Sequence, residues 1–439
     1  MVAALGGLLF GFDTAVIAGA TTALTTLYDL TPVLLGFTVA SALWGTVLGS
    51  AFASSPSDRY GRLLCLQALA VLYIVTSLGC ALAWNWHSFV LFRFIGGIAI
   101  GGSSVIGPMY IAEIAPAAKR GRLVGFFQFN VVAGILVAYL SNYLIGLLNF
   151  GDTEWRWKLG VTAIPAVLFF FTLFWIPQSP RWLVGRGLIT EARGILARIG
   201  EPDPEGEVRK MEVSVKSELR GKSEPLFTSR YHLPIFLAIS IGMFNQLSGI
   251  NAILYYLNDI FEKAGFSRVS SDLQAVAIGF TNLLFTMIAM TVIDRVGRRK
   301  LLLTGAAGTA VCLAGVAAIF ASGSHEEWLV WLLIGFIAFF AFSQGAVIWV
   351  YLSEVFPTLV RAKGQSLGSF THWIMNAIIS AIFPLLASYS RPTPFVFFAA
   401  MMVVQFVVVF RFYPETRGVS LEEMQNRIGS ELKRSVRTT

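Results

Sequence analysis

Residues 58–62 read Asp-Arg-Tyr-Gly-Arg, and the same pattern returns 236 positions later, where residues 294–298 read Asp-Arg-Val-Gly-Arg. A second pattern, Glu-x-x-Pro-x-x-x-Arg, occupies residues 113–120 and again 354–361, 241 positions apart. Each copy keeps its place among long apolar runs. The repeats therefore predict two halves of one fold, and two like halves in a membrane protein are typical of alternating access about a central site.

The composition indicates a membrane protein independently of the repeats. Hydrophobic residues make up 56% of the chain, charged residues only 13%, and the mean hydropathy is +0.69. The apolar runs are long and unbroken, which favours spanning helices, since lipid leaves no other partner for backbone polar groups. We predict an all-α membrane protein with twelve transmembrane helices in two pseudo-symmetric six-helix halves. The predicted spans are roughly 3–28, 32–55, 63–84, 88–112, 123–148, 157–177, 232–258, 272–293, 301–322, 328–353, 365–388 and 393–413.

The basic residues predict the orientation of these spans. With both termini in the cytoplasm, the predicted inside segments hold 27 of the 33 Lys and Arg residues. Such a bias sets membrane topology, so the net charge of +8 is explained without nucleic acid. We predict a multi-pass plasma-membrane protein, with a bacterial inner membrane as the expected location.

The predicted domains follow from the same pattern. They are an N-terminal six-helix half at 1–177, a charged cytoplasmic helical linker at 178–230, a C-terminal six-helix half at 231–413 and a cytoplasmic tail at 414–439.

Several chemistries find no support in the sequence. Cys65, Cys80 and Cys312 are isolated in apolar segments, which argues against a disulfide or a metal site. The chain has no Gly-x-x-x-x-Gly-Lys-Ser/Thr phosphate loop, so no nucleotide is expected, and no catalytic triad is evident. We therefore predict neither an enzyme nor a cofactor.

Two charged residues, Asp13 and Arg93, lie well inside the predicted spans. An isolated charge in lipid is costly, so their opposite signs predict an ion pair. Arg93 shares a helix face with Gly97 and Gly101, which would let a neighbouring helix approach closely. If the two charges separated, the carboxylate would favour its neutral, protonated form in that low-dielectric site. Proton uptake would then follow conformation; the alternative is a purely structural ion pair.

Uncharged polar residues within apolar helices predict a ligand site. Amides both donate and accept hydrogen bonds, as the hydroxyls of a sugar do, and aromatic rings suit the C–H face of a sugar. The alternative for each amide is a bridge between two helices. His372 has three readings, as a second titrating group, a hydroxyl contact or a satisfied core histidine. The candidate substrate-binding residues are Gln128, Gln246, Asn251, Tyr255, Asn282, Gly345, Trp349, His372, Trp373 and Asn376.

These residues carry a family resemblance that covers essentially the whole chain. The chain resembles the sugar porter family of the major facilitator superfamily, including bacterial proton/sugar symporters of the xylose, glucose and galactose type and the facilitative glucose transporters. The matching stretches are Gly11-Phe12-Asp13-Thr14, both Asp-Arg-x-Gly-Arg copies, Arg93 with Gly96-Gly97, both Glu-x-x-Pro-x-x-x-Arg copies, Pro177-Gln178-Ser179-Pro180-Arg181-Trp182, Gln246-Leu247-Ser248-Gly249-Ile250-Asn251 and Pro414-Glu415-Thr416-Arg417-Gly418.

The resemblance assigns roles to many of these residues. Asp13 resembles the proton-coupling residue of the bacterial symporters, whereas passive facilitators typically carry a neutral residue there. Tyr255 matches a position that forms a gate in the family. The positions that match sugar contacts are Gln128, Gln246, Asn251, Asn282, Trp349, Trp373 and Asn376.

Three positions depart from the family pattern. Ser54 replaces a glycine, Gln178 a glutamate and Asn245 a glutamine. The first two could soften a cytoplasmic gate, and the third puts one substrate contact in doubt.

The repeated loops predict a cytoplasmic gate. Arginine pairs strongly with carboxylates at the inner helix ends, and such pairs would hold the inner sides of the halves together in one state and break in another. The alternative for the arginines is topological anchoring alone. By resemblance the network comprises Arg59, Arg62, Glu113, Arg120, Arg122, Arg295, Arg298, Glu354 and Arg361.

The sequence thus predicts a secondary transporter that imports a neutral monosaccharide with a proton, with sugar, proton and lipid as its partners. A facilitative uniporter is the nearest alternative. A non-transporting sugar receptor would be expected to carry a longer tail than 414–439. A polyol, an inositol or a small organic acid is a further substrate possibility, although an acid would favour a second cation in the pocket.

Overall fold

The computed structural model of the protein describes residues 2–115, 120–220, 224–357 and 360–417, without the side chains of residues 120–122, 124 and 216–220. Twelve helical stretches in these ranges are long and apolar enough to cross a membrane, which confirms the predicted number. They are Val2–Gly19, Pro32–Phe52, Arg62–Ala81, Trp86–Ile114, Gly125–Leu147, Gly151–Trp175, Ser229–Tyr255, Arg268–Val296, Arg298–Ser322, Glu326–Glu354, Arg361–Tyr389 and Thr393–Phe412.

The regular structure of the described ranges is helical throughout, as predicted for an all-α protein. In chain order the α-helices are α1 Leu5–Val16, α2 Thr21–Tyr28, α3 Pro32–Phe52, α4 Ser54–Tyr60, α5 Arg62–Ala81, α6 Trp86–Ile114, α7 Arg120–Leu147, α8 Glu154–Gly160, α9 Ala163–Thr172, α10 Pro180–Gly185, α11 Ile189–Arg198, α12 Pro204–Arg220, α13 His232–Leu247, α14 Ile250–Tyr255, α15 Leu257–Lys263, α16 Arg268–Val296, α17 Arg298–Ser322, α18 Leu329–Phe342, α19 Gln344–Glu354, α20 Arg361–Tyr389 and α21 Thr393–Phe412.

The chain divides into two compact units, Met1–Ala23 with Ser41–Lys222 and Leu24–Ala40 with Ser223–Thr439. The first unit contains α1 and α4 to α12, and the second contains α13 to α21, while α2 and α3 are shared between them. Each unit has its own apolar core, because each span buries one face against its neighbours and leaves the rest to lipid.

Three short helices, α10 to α12, build a small core of their own. Leu183, Ala192 and Leu196 are buried in it, and Ser179 begins α10 by accepting a hydrogen bond from the backbone of Trp182. A serine before Pro180 is a standard helix start, since proline fits the first helical position. The predicted charged linker is therefore a folded helical unit in residues 180–220.

Several spans are interrupted rather than continuous. The structure has a break after Ser248, with Gly249 in the left-handed conformation at φ 81° between α13 and α14. α1 ends at Val16 and passes into a 3-10 turn at Ile17–Gly19. Broken helices in a membrane protein free backbone groups and are found where the chain lines a cavity or packs against other helices.

The glycines that follow Arg93 bring two helices of the first unit together. A methyl group on Gly97 would overlap the backbone carbonyl of Ala42, and one on Gly101 would overlap that of Thr46. The close neighbour is therefore α3, whereas the ionic partner of Arg93 lies on α1, so the predicted close approach and the predicted ion pair involve different helices.

We expect Gly97→Ala to destabilise the protein by about 1–3 kcal/mol, because the added methyl must push α3 and α6 apart. The matched control is Gly194→Ala, since Gly194 lies in α11 with no atom within 4 Å of an added methyl. That control should be neutral or stabilising by up to about 1 kcal/mol. Thermal melting of the detergent-solubilised variants measures both, and equal melting temperatures would contradict the packing described.

Candidate functional site

Asp13 and Arg93 form an ion pair inside the first unit. Asp13 lies on α1, Arg93 on α6, and the Asp13 Oδ1 to Arg93 Nη1 distance is 2.8 Å. The arginine side chain is 6% exposed and the carboxylate 19%, so Asp13 keeps some access to solvent while Arg93 has almost none. The ion pair that the sequence predicts is present, and it is asymmetric in its exposure.

Arg93 has spare hydrogen-bonding capacity at this site. Its Nε–H is buried and forms no hydrogen bond within the described part of the chain. Tyr73 and Cys80 on α5 lie near enough to interact electrostatically with Asp13, and Tyr73 is hydrogen bonded to Ser103 at 2.8 Å. The neighbours of the pair are therefore neutral groups, which leaves Arg93 as the charge partner of Asp13.

A second buried ion pair contradicts one expectation from the sequence. From the sequence, Asp13 and Arg93 are the charged residues expected well inside the spans, and Lys158 lies at the start of the predicted span 157–177. In the structure Lys158 is 0% exposed, and its Nζ lies 2.9 Å from Glu154 Oε1. Helix α8 begins at Glu154 and so places the two charges four residues apart on one face. The i, i+4 spacing of Glu154 and Lys158 is the sequence feature from which this ion pair could have been predicted.

The second unit gathers several of the predicted ligand-binding amides around Gln246. The Gln246 Nε2 group donates to Asn245 Oδ1 at 3.1 Å and lies 3.3 Å from both ring nitrogens of His372. Gln246 Oε1 accepts from Asn251 Nδ2 at 3.0 Å. The helix break at Gly249 makes this possible, because it lets side chains on α13 and α14 meet.

Other predicted ligand-binding residues of the second unit contact one another or the His372 ring. Asn376 Nδ2 donates to Tyr255 Oη at 3.3 Å, and both side chains are buried. The His372 ring lies 5.2 Å from Trp349 and 5.1 Å from Trp373, measured between ring centroids. Trp349 remains 39% exposed. Gly345 lies one turn before Trp349 on α19.

Two of the predicted amides, Gln128 and Asn282, stand apart from the Gln246 contacts. Gln128 is half-buried on α7, and Asn282 is buried on α16; within the described ranges neither forms a hydrogen bond to the Gln246 group. Asn245, one of the departures from the family pattern, is buried and bonds Gln246. Its amide therefore orients a neighbouring amide.

The two Asp-Arg-x-Gly-Arg loops fold alike. Gly61 and Gly297 have φ of 95° and 97°, a region open to glycine, and each ends one helix and starts the next. Arg62 contacts Asp58 and Glu113 at 2.9 Å, and it also donates to the carbonyl of Ser57 at 3.1 Å. The sequence repeat is thus a repeat of geometry.

The second copy reproduces these contacts in the other unit. Arg298 contacts Asp294 at 2.9 Å and Glu354 at 2.8 Å, and it donates to the carbonyl of Ile293 at 3.2 Å. Each arginine is the first residue of its helix and each glutamate ends a neighbouring helix of the same unit. Each of these two pairs lies within one unit, and the role of the network in holding the halves together stays a prediction.

The other predicted gate residues differ from these two pairs. Arg59 and Arg295 are exposed and form no ion pair within the described residues. Arg361 donates from Nε to the carbonyl of Phe356 at 3.4 Å. The side chains of Arg120 and Arg122 lie outside the described part of the structure.

Each corner is also capped by a residue from a distant part of the chain. Gln178 Oε1 accepts from the backbone of Leu63 at 3.1 Å, at the start of α5. Glu415 accepts from the backbone of Arg298 at 2.9 Å and of Arg299 at 3.1 Å, at the start of α17. The first unit thus has a neutral cap where the second has a charged one, and a carboxylate is the better partner for the positive end of a helix.

Comparison with known proteins agrees with this arrangement. The model of the Sugar (and other) transporter family matches residues 1–427. The arabinose-proton symporter of Bacillus subtilis is 36% identical over 96% of this chain and 93% of its own length. The D-xylose-proton symporter of Escherichia coli is 35% identical over 100% of this chain and 96% of its own length. The solved structure of the xylose transporter XylE from E. coli, in an inward-open conformation, matches with a TM-score of 0.87 at 33% identity and covers 97% of this chain and 98% of that chain.

We expect Gln178→Glu to raise the free energy of unfolding and Glu415→Gln to lower it, each by about 0.3–1 kcal/mol, because only the charged cap interacts with the helix dipole. Thermal melting of the two single variants checks the signs. Shifts of the same sign would contradict the equivalence of the two caps.

Proposed function

Because this chain belongs to the sugar porter family of the major facilitator superfamily, we propose that it imports a neutral monosaccharide together with a proton by alternating access. The location that fits this role is a bacterial inner membrane with both chain termini in the cytoplasm. The driving force is the proton gradient, and the proposal involves no nucleotide.

The ion pair between Asp13 and Arg93 is the observation that carries proton coupling. A carboxylate in an apolar helix bundle is stable as an anion only beside a cation, and Arg93 lies 2.8 Å away. Protonation of Asp13 would remove that charge and release Arg93, so the protonated and deprotonated states would favour different arrangements of α1 and α6. The 19% exposure of Asp13 gives a proton a route to it.

The Gln246 group supports a neutral polyhydroxylated substrate. Its described members are amides, an imidazole and indole rings, which donate, accept and stack without adding a formal charge. Lys158, a buried cation of the first unit, does not favour an acidic substrate, because Glu154 neutralises it at 2.9 Å. A sugar with both donor and acceptor hydroxyls suits this lining best.

Within this group, Gln246 is the residue that we expect to matter most for binding. Its Nε2 donates to Asn245 and faces His372, and its Oε1 already accepts one bond from Asn251. The remaining lone pair of Oε1 would accept a sugar hydroxyl. Trp349, which is 39% exposed, would cover the apolar side of the sugar ring.

Proton coupling is tested with purified protein in liposomes. We expect an inside-alkaline pH gradient to drive accumulation of radiolabelled xylose or glucose above equilibrium, and Asp13→Asn to abolish accumulation while sugar exchange continues. Exchange should survive because asparagine resembles the protonated carboxyl group, the form in which the loaded carrier turns over.

A different pattern would point to facilitated diffusion. If the wild-type protein only equilibrates sugar at every pH gradient, the protein is a uniporter and the pair of Asp13 and Arg93 serves structure. If Asp13→Asn accumulates sugar as well as the wild type does, the proton binds elsewhere.

The sugar site is tested by replacing one amide. We expect Gln246→Leu to weaken sugar binding at least about tenfold, because it removes an acceptor and leaves Asn245, Asn251 and His372 without their shared partner. Gln405→Leu is the matched control, since Gln405 is an equally buried amide of the same unit, on α21, with its Oε1 unpartnered among the described residues. Equilibrium binding of radiolabelled sugar measures both, and equal affinities in the two variants would exclude Gln246 from the site.

A further inference from the structure

The pair of Glu154 and Lys158 is a buried ionic feature that the proposed transport cycle leaves unused. Both residues lie within the candidate span Gly151–Trp175, with side chains 6% and 0% exposed and 2.9 Å between the charged groups. A buried pair of this kind is seldom worth its cost in stability alone, since apolar residues of similar size often serve as well. Its position in the fold therefore suggests a role beyond stability.

The pair packs against the C-terminal end of the helix that carries Asp13. α1 ends at Val16, and the 3-10 turn Ile17–Gly19 follows directly. A methyl group on Gly19 would overlap the Asn142 amide and come within 3.0 Å of Lys158 Cδ. The side chains of Asn142 and Lys158 therefore both lie against Gly19, just beyond the end of α1.

Asn142 also contacts the end of α1 directly. The last carbonyls of a helix lose their partners in the next turn and need donors from elsewhere. Here the backbone N–H of Ala20 donates to the carbonyl of Ile17, and the carbonyl of Val16 accepts a hydrogen bond from Asn142 Nδ2 at 3.1 Å. Asn142 belongs to α7, so this bond ties the end of α1 to that helix.

The charge of Lys158 suits the same place. A helix C-terminus carries partial negative charge, and a cation near it is favourable. Glu154, one turn earlier on α8, then cancels the net charge that a lone lysine would bring into the bundle. Asp13 lies three residues before Val16, about one helical turn from the residues that hold this end.

We propose that Asn142 and the pair of Glu154 and Lys158 form a clamp on the C-terminal end of α1 that holds Asp13 in register with Arg93. The clamp residues are positioning residues, since none of them contacts the proton site. The clamp rests on the proposed proton coupling, and it would make that coupling efficient.

Loss of the clamp should affect sugar exchange and sugar accumulation differently. Exchange of sugar for sugar needs only the loaded carrier, in which Asp13 is protonated and the ion pair is already open. Accumulation also needs Asp13 to lose its proton and return to Arg93, and that step depends on the position of α1. A loosened clamp should therefore impair accumulation and spare exchange.

The test replaces the pair with uncharged residues of similar size. Glu154→Gln or Lys158→Met alone leaves a buried charge unpaired and should lower the melting temperature. The double variant E154Q/K158M should melt and exchange sugar like the wild type, yet accumulate it roughly tenfold less, since a displacement of about 1 Å can cost about a hundredfold in rate. The control is E207Q/K210M, which removes a pair on α12 whose lysine is 77% exposed, and it should match the wild type throughout.

A variant without any charge change provides a second route. Gly19→Ala pushes against Asn142 and Lys158, and we expect the same split between accumulation and exchange. If the double variant does not fold, this variant decides.

Two results would contradict the proposed clamp. One leaves the proposed symport intact, and the other contradicts the symport as well. Accumulation at the wild-type level in E154Q/K158M and in Gly19→Ala would reduce the pair to a structural element while the symport stands. A wild-type protein that fails to accumulate sugar would overturn the symport itself, and the clamp with it.

Discussion

A charge surrounded by apolar helices needs an opposite charge at contact distance, and this constraint accounts for most of the polar architecture of the chain. Asp13 and Arg93 satisfy it with a contact of 2.8 Å, and Glu154 and Lys158 satisfy it with one of 2.9 Å. The two pairs differ in exposure: Asp13 keeps 19% of its side chain exposed, whereas the side chain of Lys158 is 0% exposed.

The duplicated corners show the same constraint at the helix ends. In both units a glycine with φ near 95° turns the chain so that the next arginine meets a glutamate of its own unit. Each corner therefore joins two helices of its own unit through an ion pair. The residues that cap the two corners differ, since one unit has neutral Gln178 and the other has charged Glu415. The two repeats therefore differ in the electrostatic interaction between the cap and the helix N-terminus.

Much of this could be predicted from the sequence. Long apolar runs predict the twelve spans, because lipid admits few backbone structures, and the repeats predict the like halves. The opposite signs of Asp13 and Arg93 predict their ion pair. The break at Gly249 was also predictable, because a Ser-Gly step in a helix is a weak point.

Other features depend on three-dimensional placement. Arg156 and Lys158 are neighbours near a span boundary, and hydropathy does not distinguish the lysine that faces the bundle from the arginine that bonds the carbonyls of Ala81 and Ala83. The contacts of Arg62 with Glu113 and of Arg298 with Glu354 depend on how each glycine corner turns the chain, which sequence spacing does not record. The roles of Gln128 and Asn282 remain predictions.

Our proposal of proton-coupled sugar import is tested most directly by the external pH of a weakly buffered suspension of proteoliposomes when xylose or glucose is added without an imposed gradient. We expect the medium to become alkaline as sugar enters, because symport would carry a proton inward with each sugar. Sugar entry at a constant external pH would contradict it.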